Sequence, residues 1–494
     1  MILKKRKFLP KLPMTKNSFY LTTTLPYVNA PLHMGHALEL VRADAIARYK
    51  KLIGYDVYFN TGTDEHGMKI YEKAIEAGLS PQEFVDQGFE TFKKQLQMFG
   101  MSEDINFIRT TDKHHESAAQ EFWNRVQKNG FIYKKNYETK YCVGCESEKT
   151  NSELNDQGEC DIHPGKQIET IKEENYFFKY SAFGDKLLLF YGKNPNFIVP
   201  DFRFNEIKNF VKSGLQDFSI SRLRSKMPWG IEVPGDSEHI MYVWFDALTN
   251  YISTLGWPEN VENFEKYWVN GNPTQYCGKD NTRFQGAMWQ AMLMAAGLPN
   301  SHQIVVDGFI TGEGGVRMSK TIGNVVDPRD IVAEYGVDAL RYFLLKEVSS
   351  FEDSPFTLER FKDAYNSGLA NGLGNLVSRV MTMAEKNLDN PVVVDDFKFN
   401  PVVSSDIESF DLNRAMGIIW SLIEELDEFI QRDEPFKVVK IDKEKGKEMI
   451  IKYIKLLFNI TQSIEPFLPE TSKKIKELIK QNKKPEAPLF LRKE

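Results

Sequence analysis

This chain changes rhythm along its length, and the change constrains its fold more than any single motif. Residues 18–24 carry the β-prone run Phe19-Tyr20-Leu21-Thr22-Thr23, which reads as a strand. A loop bearing Pro26, Asn29 and Pro31 follows, then a helical stretch over 35–51 that stops at Gly54, then a short strand at Val57-Tyr58-Phe59. Strand, helix, strand in that order opens a parallel, doubly wound sheet, because parallel neighbours need a crossover between them. The alternation returns much later. Residues 241–245 and 303–306 both read as buried strands, with a helix over 283–296 between them. The reading is therefore a Rossmann-like α/β domain over residues 15–130 and 230–352, split by an insertion over 131–229. Past Asp353 the strand pattern ends. Leu422, Ile423, Leu426, Phe429 and Ile430 recur at helical spacing, as do Ile450, Ile454, Leu457 and Ile464, so 353–494 should be an all-α domain.

Charge and cysteine usage narrow the setting. The 63 basic and 69 acidic side chains leave a net charge of −6, which excludes a uniformly basic coat for non-specific nucleic-acid binding. No apolar run approaches the ~18 residues of a membrane span. Four Cys in 494 residues are no disulfide framework, which indicates a reducing, cytoplasmic setting. Residues 1–14 hold Lys4-Lys5-Arg6-Lys7 without an apolar stretch, so they read as a disordered basic extension and not a secretory signal. The last part, 431–494, carries 16 basic and 10 acidic side chains, a surplus that suits either a solvated face or an RNA-facing surface.

Three clusters carry chemistry. His33-Met34-Gly35-His36 stands where the first loop becomes a helix. Imidazoles at i and i+3 share a side, beside free N–H groups and the positive end of the helix dipole, a natural phosphate site; a capping or metal-binding pair is the alternative that their position makes second. Gly35 lets a ligand approach the backbone. The Gly-rich run 311–321 ends in Arg317-Met318-Ser319-Lys320-Thr321 and follows a buried strand; such a run cannot pack a core and should form a mobile loop. Arg317 and Lys320 on that loop suit closure over a polyphosphate. Cys142-Val143-Gly144-Cys145, with Cys160-Asp161-Ile162-His163 after 14 residues, is a zinc signal. Two x₂ pairs can present three sulfurs and one imidazole tetrahedrally, and four protein ligands make the ion structural.

Together the His33–His36 and Arg317–Thr321 clusters resemble the two nucleotide-binding motifs of class I aminoacyl-tRNA synthetases. Arg317 and Thr321 replace the usual first Lys and last Ser. Further stretches narrow the resemblance to the methionyl-tRNA synthetase family: Leu25-Pro26-Tyr27-Val28-Asn29, the run from Tyr242 to Tyr251, Gly278-Lys279-Asp280, and Asn371 to Arg379. The resemblance implies that Leu25, Tyr27, Trp244, Ala247, Leu248 and Tyr251 line a methionine side-chain slot and that Asp64 pairs with the substrate ammonium. A polarisable thioether gains from aromatic contact. Tyr242 and Phe245 read as plain core. It further implies that His33, Gly35, His36, Lys279, Asp280, Arg317 and Lys320 hold ATP, with His33, His36 and Lys320 catalytic. Asn375, Arg379 and Phe436 would read a CAU anticodon. Phe436 stands where relatives carry Trp, and Asp307 where many carry a pocket His, so Asp307 receives no substrate role. Cys277 reads as a buried small hydrophobe.

The function implied is ATP-dependent activation of L-methionine and its transfer to tRNA(Met), with one Zn²⁺ per chain, Mg²⁺ accompanying ATP, and no membrane partner. The chain ends soon after the helical part, so the expectation is a monomer. Three rivals stay open: another class I synthetase, a nucleotidyltransferase acting on a small metabolite, and a catalytically silent tRNA-binding relative.

Overall fold

The computed structural model describes residues 18–145, 147–149, 154–160, 162–163, 168–316, 318, 326–394 and 399–494. The basic extension over 1–14 lies outside them. The centre is a six-stranded sheet. Its strands are β1 (Ser18–Thr23), β2 (Asp56–Thr63), β3 (Asn106–Arg109), β4 (Ile198–Val199), β5 (Asn272–Gly278) and β6 (Gln303–Asp307). The spatial order is β3-β2-β1-β5-β6-β4, and every pairing is parallel. β1 alternates between two cores, as a strand buried on both faces must. Phe19 and Leu21 enter the core shared with the helical region, whereas Tyr20 enters the other, with Trp268 and Trp289.

The edge strand β4 comes from inside the 131–229 stretch read as an insertion. That stretch therefore serves two structures. Its first part forms a long antiparallel hairpin, Ile132–Cys142 against Ile168–Phe178. Its later part returns to the parallel sheet. A second difference concerns residues 241–245, expected as a strand. The strand ends at Met241, and Val243–Ala247 is a short helix. A brief apolar run satisfies either geometry by pattern alone.

The first crossover helix, α1 (Met34–Leu52), packs in the core shared with the helical region. That region contains α5 (Asn375–Asn387), α6 (Leu412–Asp433), α7 (Pro435–Ile441), α8 (Lys443–Ile464) and α9 (Pro469–Gln481). Between α1 and α5 lie α2 (Lys113–Lys128), α3 (Val243–Ala247) and α4 (Asn250–Ser253). Of the periodic residues, the 22-residue helices α6 and α8 bury Ile423, Leu426 and Ile430 in one core with Ile450, Ile454, Leu457 and Ile464, while Leu422 and Phe429 are half-buried at its rim. No helix among the described residues is long and apolar enough to cross a membrane.

A buried ion pair fastens α1 to this region. Arg341 donates to Asp44 at 2.8 Å and to the carbonyls of Phe467 and Pro466, and both side chains are fully buried. Burial pushes the Asp44 carboxyl up, but Arg341, Arg48 and the Ser102 hydroxyl outweigh it and hold it below the ordinary range. Removing one partner of a buried pair strands the other charge. Asp44→Asn should cost about 3–5 kcal/mol of stability, read from urea denaturation. Asp44 has a depressed folded-state pKa, so its contribution is present above the unfolded value of about 3.9 and is lost as pH falls through the folded one. The variant and the parent chain should therefore converge in stability under strongly acidic conditions.

Candidate active site and metal centre

Sheet order reverses direction between β1 and β5, so a crevice opens at the carboxyl ends of the strands, where open α/β sheets bind ligands. The loop after β1 is zipped to the loop after β2. Val28 N–H donates to the Asp64 carbonyl at 3.3 Å, and Asp64 N–H donates to the Pro26 carbonyl at 3.0 Å. This carries the β1–β2 pairing one bridge further, Tyr27 opposite Asp64, and so brings Leu25, Tyr27 and Asp64 together.

His33 is the N-cap of α1. Its Nδ1 accepts from the backbone N–H of Gly35 (3.1 Å) and His36 (3.4 Å), while His36 Nδ1 accepts from His33 N–H at 3.3 Å. The rings stack with centroids 3.7 Å apart. The sequence reading placed free N–H groups beside these imidazoles; two of them are instead taken by His33 itself. The consequence is chemical. With both Nδ1 atoms accepting, each ring carries its proton on Nε2 in the neutral form, a donor on the side away from the backbone. Burial and the neighbouring His33 hold the His36 imidazole well below its usual pKa, so it donates as a neutral group.

The other residues expected to line the slot lie on α3 and α4, with Leu248 in the turn between them. Ala247, Leu248 and Tyr251 are buried, and Trp244 stacks face to face on Phe284 at 3.8 Å. Phe245 packs against Phe122 and Trp123, and both Phe245 and Tyr242 are buried, as expected of core. Gly278 ends β5, and Lys279 and Asp280 form the 3₁₀ turn after it. The Lys279 ammonium donates to both oxygens of Asp353 (2.7 and 2.6 Å) and lies over the Phe309 ring. Asp307 closes β6 and accepts from Arg42 (2.8 Å) and the Tyr276 hydroxyl (3.0 Å), a buried charge that is paired. Arg317 and Lys320 lie outside the described residues. Cys277 is fully buried, which pushes its thiol well up.

Two residues at this crevice escaped the sequence reading. Glu39, one turn past His36, accepts from Thr24 N–H at 2.7 Å. Burial, with Asp307 and Asp280 nearby, pushes its carboxyl up to about 8. Asp246, in the middle of the aromatic run, binds His66 and His115. The signal for both was an acidic residue inside an otherwise apolar stretch.

The candidate metal centre lies at the far end of the antiparallel hairpin. Cys142 ends its first strand, Cys160 is held by a bridge to Leu154, and His163 N–H donates back to the Cys160 carbonyl at 3.0 Å. The four ligand atoms lie within 4.8 Å of one another. Tetrahedral zinc with its usual bond lengths needs sulfur–sulfur edges of roughly 3.8 Å and sulfur–nitrogen edges of roughly 3.6 Å. The distances found are 3.5 Å for Cys145–Cys160, 3.3 Å for Cys145–His163 Nδ1 and 3.9 Å for Cys142–His163 Nδ1. Gly144 leaves room for the imidazole, since a Cβ there would stand 2.6 Å from the His163 ring. The donor set fits zinc.

The family model for class I tRNA synthetases of the methionine type, "tRNA synthetases class I (M)", matches residues 19–163 and 148–381. The methionine–tRNA ligase of Caldanaerobacter subterraneus subsp. tengcongensis is 43% identical over 481 residues, covering 93% of this chain and 73% of its own. That of Brucella suis is 37% identical, covering 94% and 92%. The chain belongs to the methionine–tRNA ligase family. Mycobacterium tuberculosis methionyl-tRNA synthetase in complex with methionyl-adenylate superposes with a TM-score of 0.86 at 36% identity, covering 93% of each chain. Its free state gives 0.82 at 32% identity.

Within this methionine–tRNA ligase fold the three expected anticodon residues lie on the helical region. Asn375 opens α5 and is exposed; Arg379, one turn on, is paired with Asp427 of α6 and half-exposed. Phe436 projects from the first turn of α7 with 42% of its surface accessible.

The metal geometry gives a direct prediction. Purified chain should hold about one zinc per molecule by elemental analysis, the capacity of a closed four-ligand site. Cys145→Ser should lose it. Hydrogen exchange should then rise along Ile132–Cys142 and Ile168–Phe178 while β1 and β5 stay protected.

Proposed function

We propose that the chain is a methionine–tRNA ligase. The methionine carboxylate attacks the α-phosphate of ATP, forming methionyl-adenylate and releasing pyrophosphate; the methionyl group then passes to the terminal ribose of tRNA(Met). The observation that carries this is the convergence at one crevice of the capped His33–His36 pair with the Leu25, Tyr27 and Asp64 cluster. Phosphate donors and an amino-acid site thus open from the same strand ends.

No enzyme nucleophile is needed, since the work is positioning and charge stabilisation. Asp64 holds the ammonium, and Leu25, Tyr27, Trp244, Ala247, Leu248 and Tyr251 surround the thioether. His33 and His36 donate from Nε2 to the phosphates. Their capping bonds fix the tautomer beforehand, so no reorganisation is required during the reaction. Gly35 admits the phosphates; Lys279 and Asp280 stand at the ribose side, with Arg317 and Lys320 closing over the pyrophosphate. ATP brings Mg²⁺, which neutralises its charge. Cys142, Cys145, Cys160 and His163 hold a structural zinc. Asn375, Arg379 and Phe436 read the CAU anticodon, by amide and guanidinium hydrogen bonds and by stacking. The working form is a cytoplasmic monomer.

Methionine-dependent ATP–pyrophosphate exchange tests the assignment, and its absence would overturn it in favour of a silent tRNA-binding relative. Exchange dependent on a different amino acid would make the chain another class I synthetase. Exchange without tRNA charging would leave the metabolite nucleotidyltransferase. Lys320→Ala should slow exchange by ~10²–10³, the scale for removing one preorganised charge from a transition state. Arg379→Ala separates the two ends of the molecule. Losing one base contact costs about 1–3 kcal/mol, so tRNA charging should fall by ~10–100-fold while exchange without tRNA stays at the parent rate. If both activities fall together, Arg379 is a structural residue.

A further inference from the structure

Asp246 stands beside Ala247 and two residues from both Trp244 and Leu248, yet its own carboxylate turns away to two imidazoles. Oδ2 lies 2.7 Å from His66 Nδ1 and Oδ1 lies 2.8 Å from His115 Nε2. The three groups are almost free of solvent: His66 is 3% exposed, and His115 and Asp246 are 0%. They come from three separate segments, the loop after β2, helix α2, and α3. The chain of contacts continues on the far side, where His115 Nδ1 lies 2.8 Å from the Ser253 hydroxyl on α4, the helix that bears Tyr251.

At its other end this chain reaches the ammonium site. His66 follows Asp64 by two residues, and its backbone N–H faces Asp64 Oδ1 at 3.5 Å. The loop is gripped from behind by Trp229, whose indole N–H donates to the Glu65 carbonyl at 2.6 Å and whose ring meets the His66 ring edge-on. Glu65 is itself committed to Arg109, and Glu116 of α2 adds further negative charge around His66. Burial pushes the His66 imidazole down, but Asp246 and these carboxylates outweigh it and raise it. The same contacts hold the Asp246 carboxyl below its usual range against the effect of burial. A buried ionic cluster contributes little net stability compared with apolar packing of the same volume. What it supplies here is direction, because both oxygens of one rigid carboxylate are fixed by ring N–H donors.

We propose that His66, Asp246 and His115 form a positioning triad for methionine, locking the Asp64 loop to the α3–α4 segment and thereby setting the distance between the ammonium site and the thioether slot. The inference rests on the methionine–tRNA ligase reading and deepens its amino-acid site. None of the three is a catalytic residue, since none contacts the proposed substrates.

The test is methionine-dependent pyrophosphate exchange on the full chain, with methionine and ATP titrated separately. In Asp246→Asn one of the two imidazole N–H donors faces an amide N–H. Misplacing a substrate group by about 1 Å costs on the order of 10²-fold, so the methionine KM should rise by about 10–100-fold while the ATP KM stays within about twofold. His66→Ala should behave alike. His66→Asn, whose amide N–H falls near the lost Nδ1–H, should restore the methionine KM to within about threefold of the parent. An unchanged methionine KM in Asp246→Asn, parallel rises for methionine and ATP, or failure of His66→Asn to rescue would each overturn the triad. Should Asp246→Asn fail to fold, the comparison of His66→Ala with His66→Asn decides alone. Absence of exchange in the parent chain overturns the ligase reading itself, which separates the two failures.

Discussion

The parallel pairing of β1 with β5, Phe19 opposite Asn272 and Thr23 opposite Tyr276, is the contact on which the rest of the molecule depends. β1 is buried on both faces and must satisfy its backbone on both edges. One edge is met locally by β2; the other has to be met by a strand that arrives only after the whole insertion. The entropy of closing so long a loop grows slowly with its length, so an insertion of this size is tolerated once the pairing is made. Because the chain leaves β1 toward β2 on one side and finds β5 on the other, the loops after β1 and β5 diverge and the crevice follows. His33, Lys279 and Asp280 owe their neighbourhood to that one pairing.

Buried charge marks the other seams. Asp44 with Arg341 joins α1 to the helical region; Arg42 with Asp307 joins α1 to β6 and, through carbonyls of Val348, Ser349 and Ser350, to the chain leaving the sheet. Asp246 ties α3 to the loop after β2 and to α2. In each case a charged group is taken out of water at a cost that apolar packing would avoid, and gains fixed geometry between distant parts of the chain. These are contacts between segments, and the crevice lies among them.

Legibility in the sequence followed locality. The Cys142, Cys145, Cys160 and His163 cluster was readable because each x₂ pair closes within one turn, and the structure brings the four together. The His33–His36 pair was readable for the same reason, but its capping role was set below the phosphate reading: whether an N–H is free or taken depends on a χ angle that spacing does not carry. Residues 241–245 misled because a five-residue aromatic and β-branched run has no period. The contacts of Asp246 with His66 and His115 exist only in the folded chain. β4 went unnoticed since two residues, Ile198 and Val199, make a strand only when Ile304 and Val305 lie alongside. Asp307 could be recognised as a misfit for a thioether, but its partner Arg42 could not be named from spacing.

By itself the sequence determined the strand–helix–strand opening, the division into a split α/β part and a helical part, the Cys142, Cys145, Cys160 and His163 cluster and the family. All of these are written in local periodicity, in turn chemistry, or in motifs of a few residues. Only the tertiary structure decided which strand sits beside β1, which imidazole nitrogens carry protons, and which buried carboxylates are paired. These depend on contacts between residues far apart in the chain, and their free energies exist only when the segments meet.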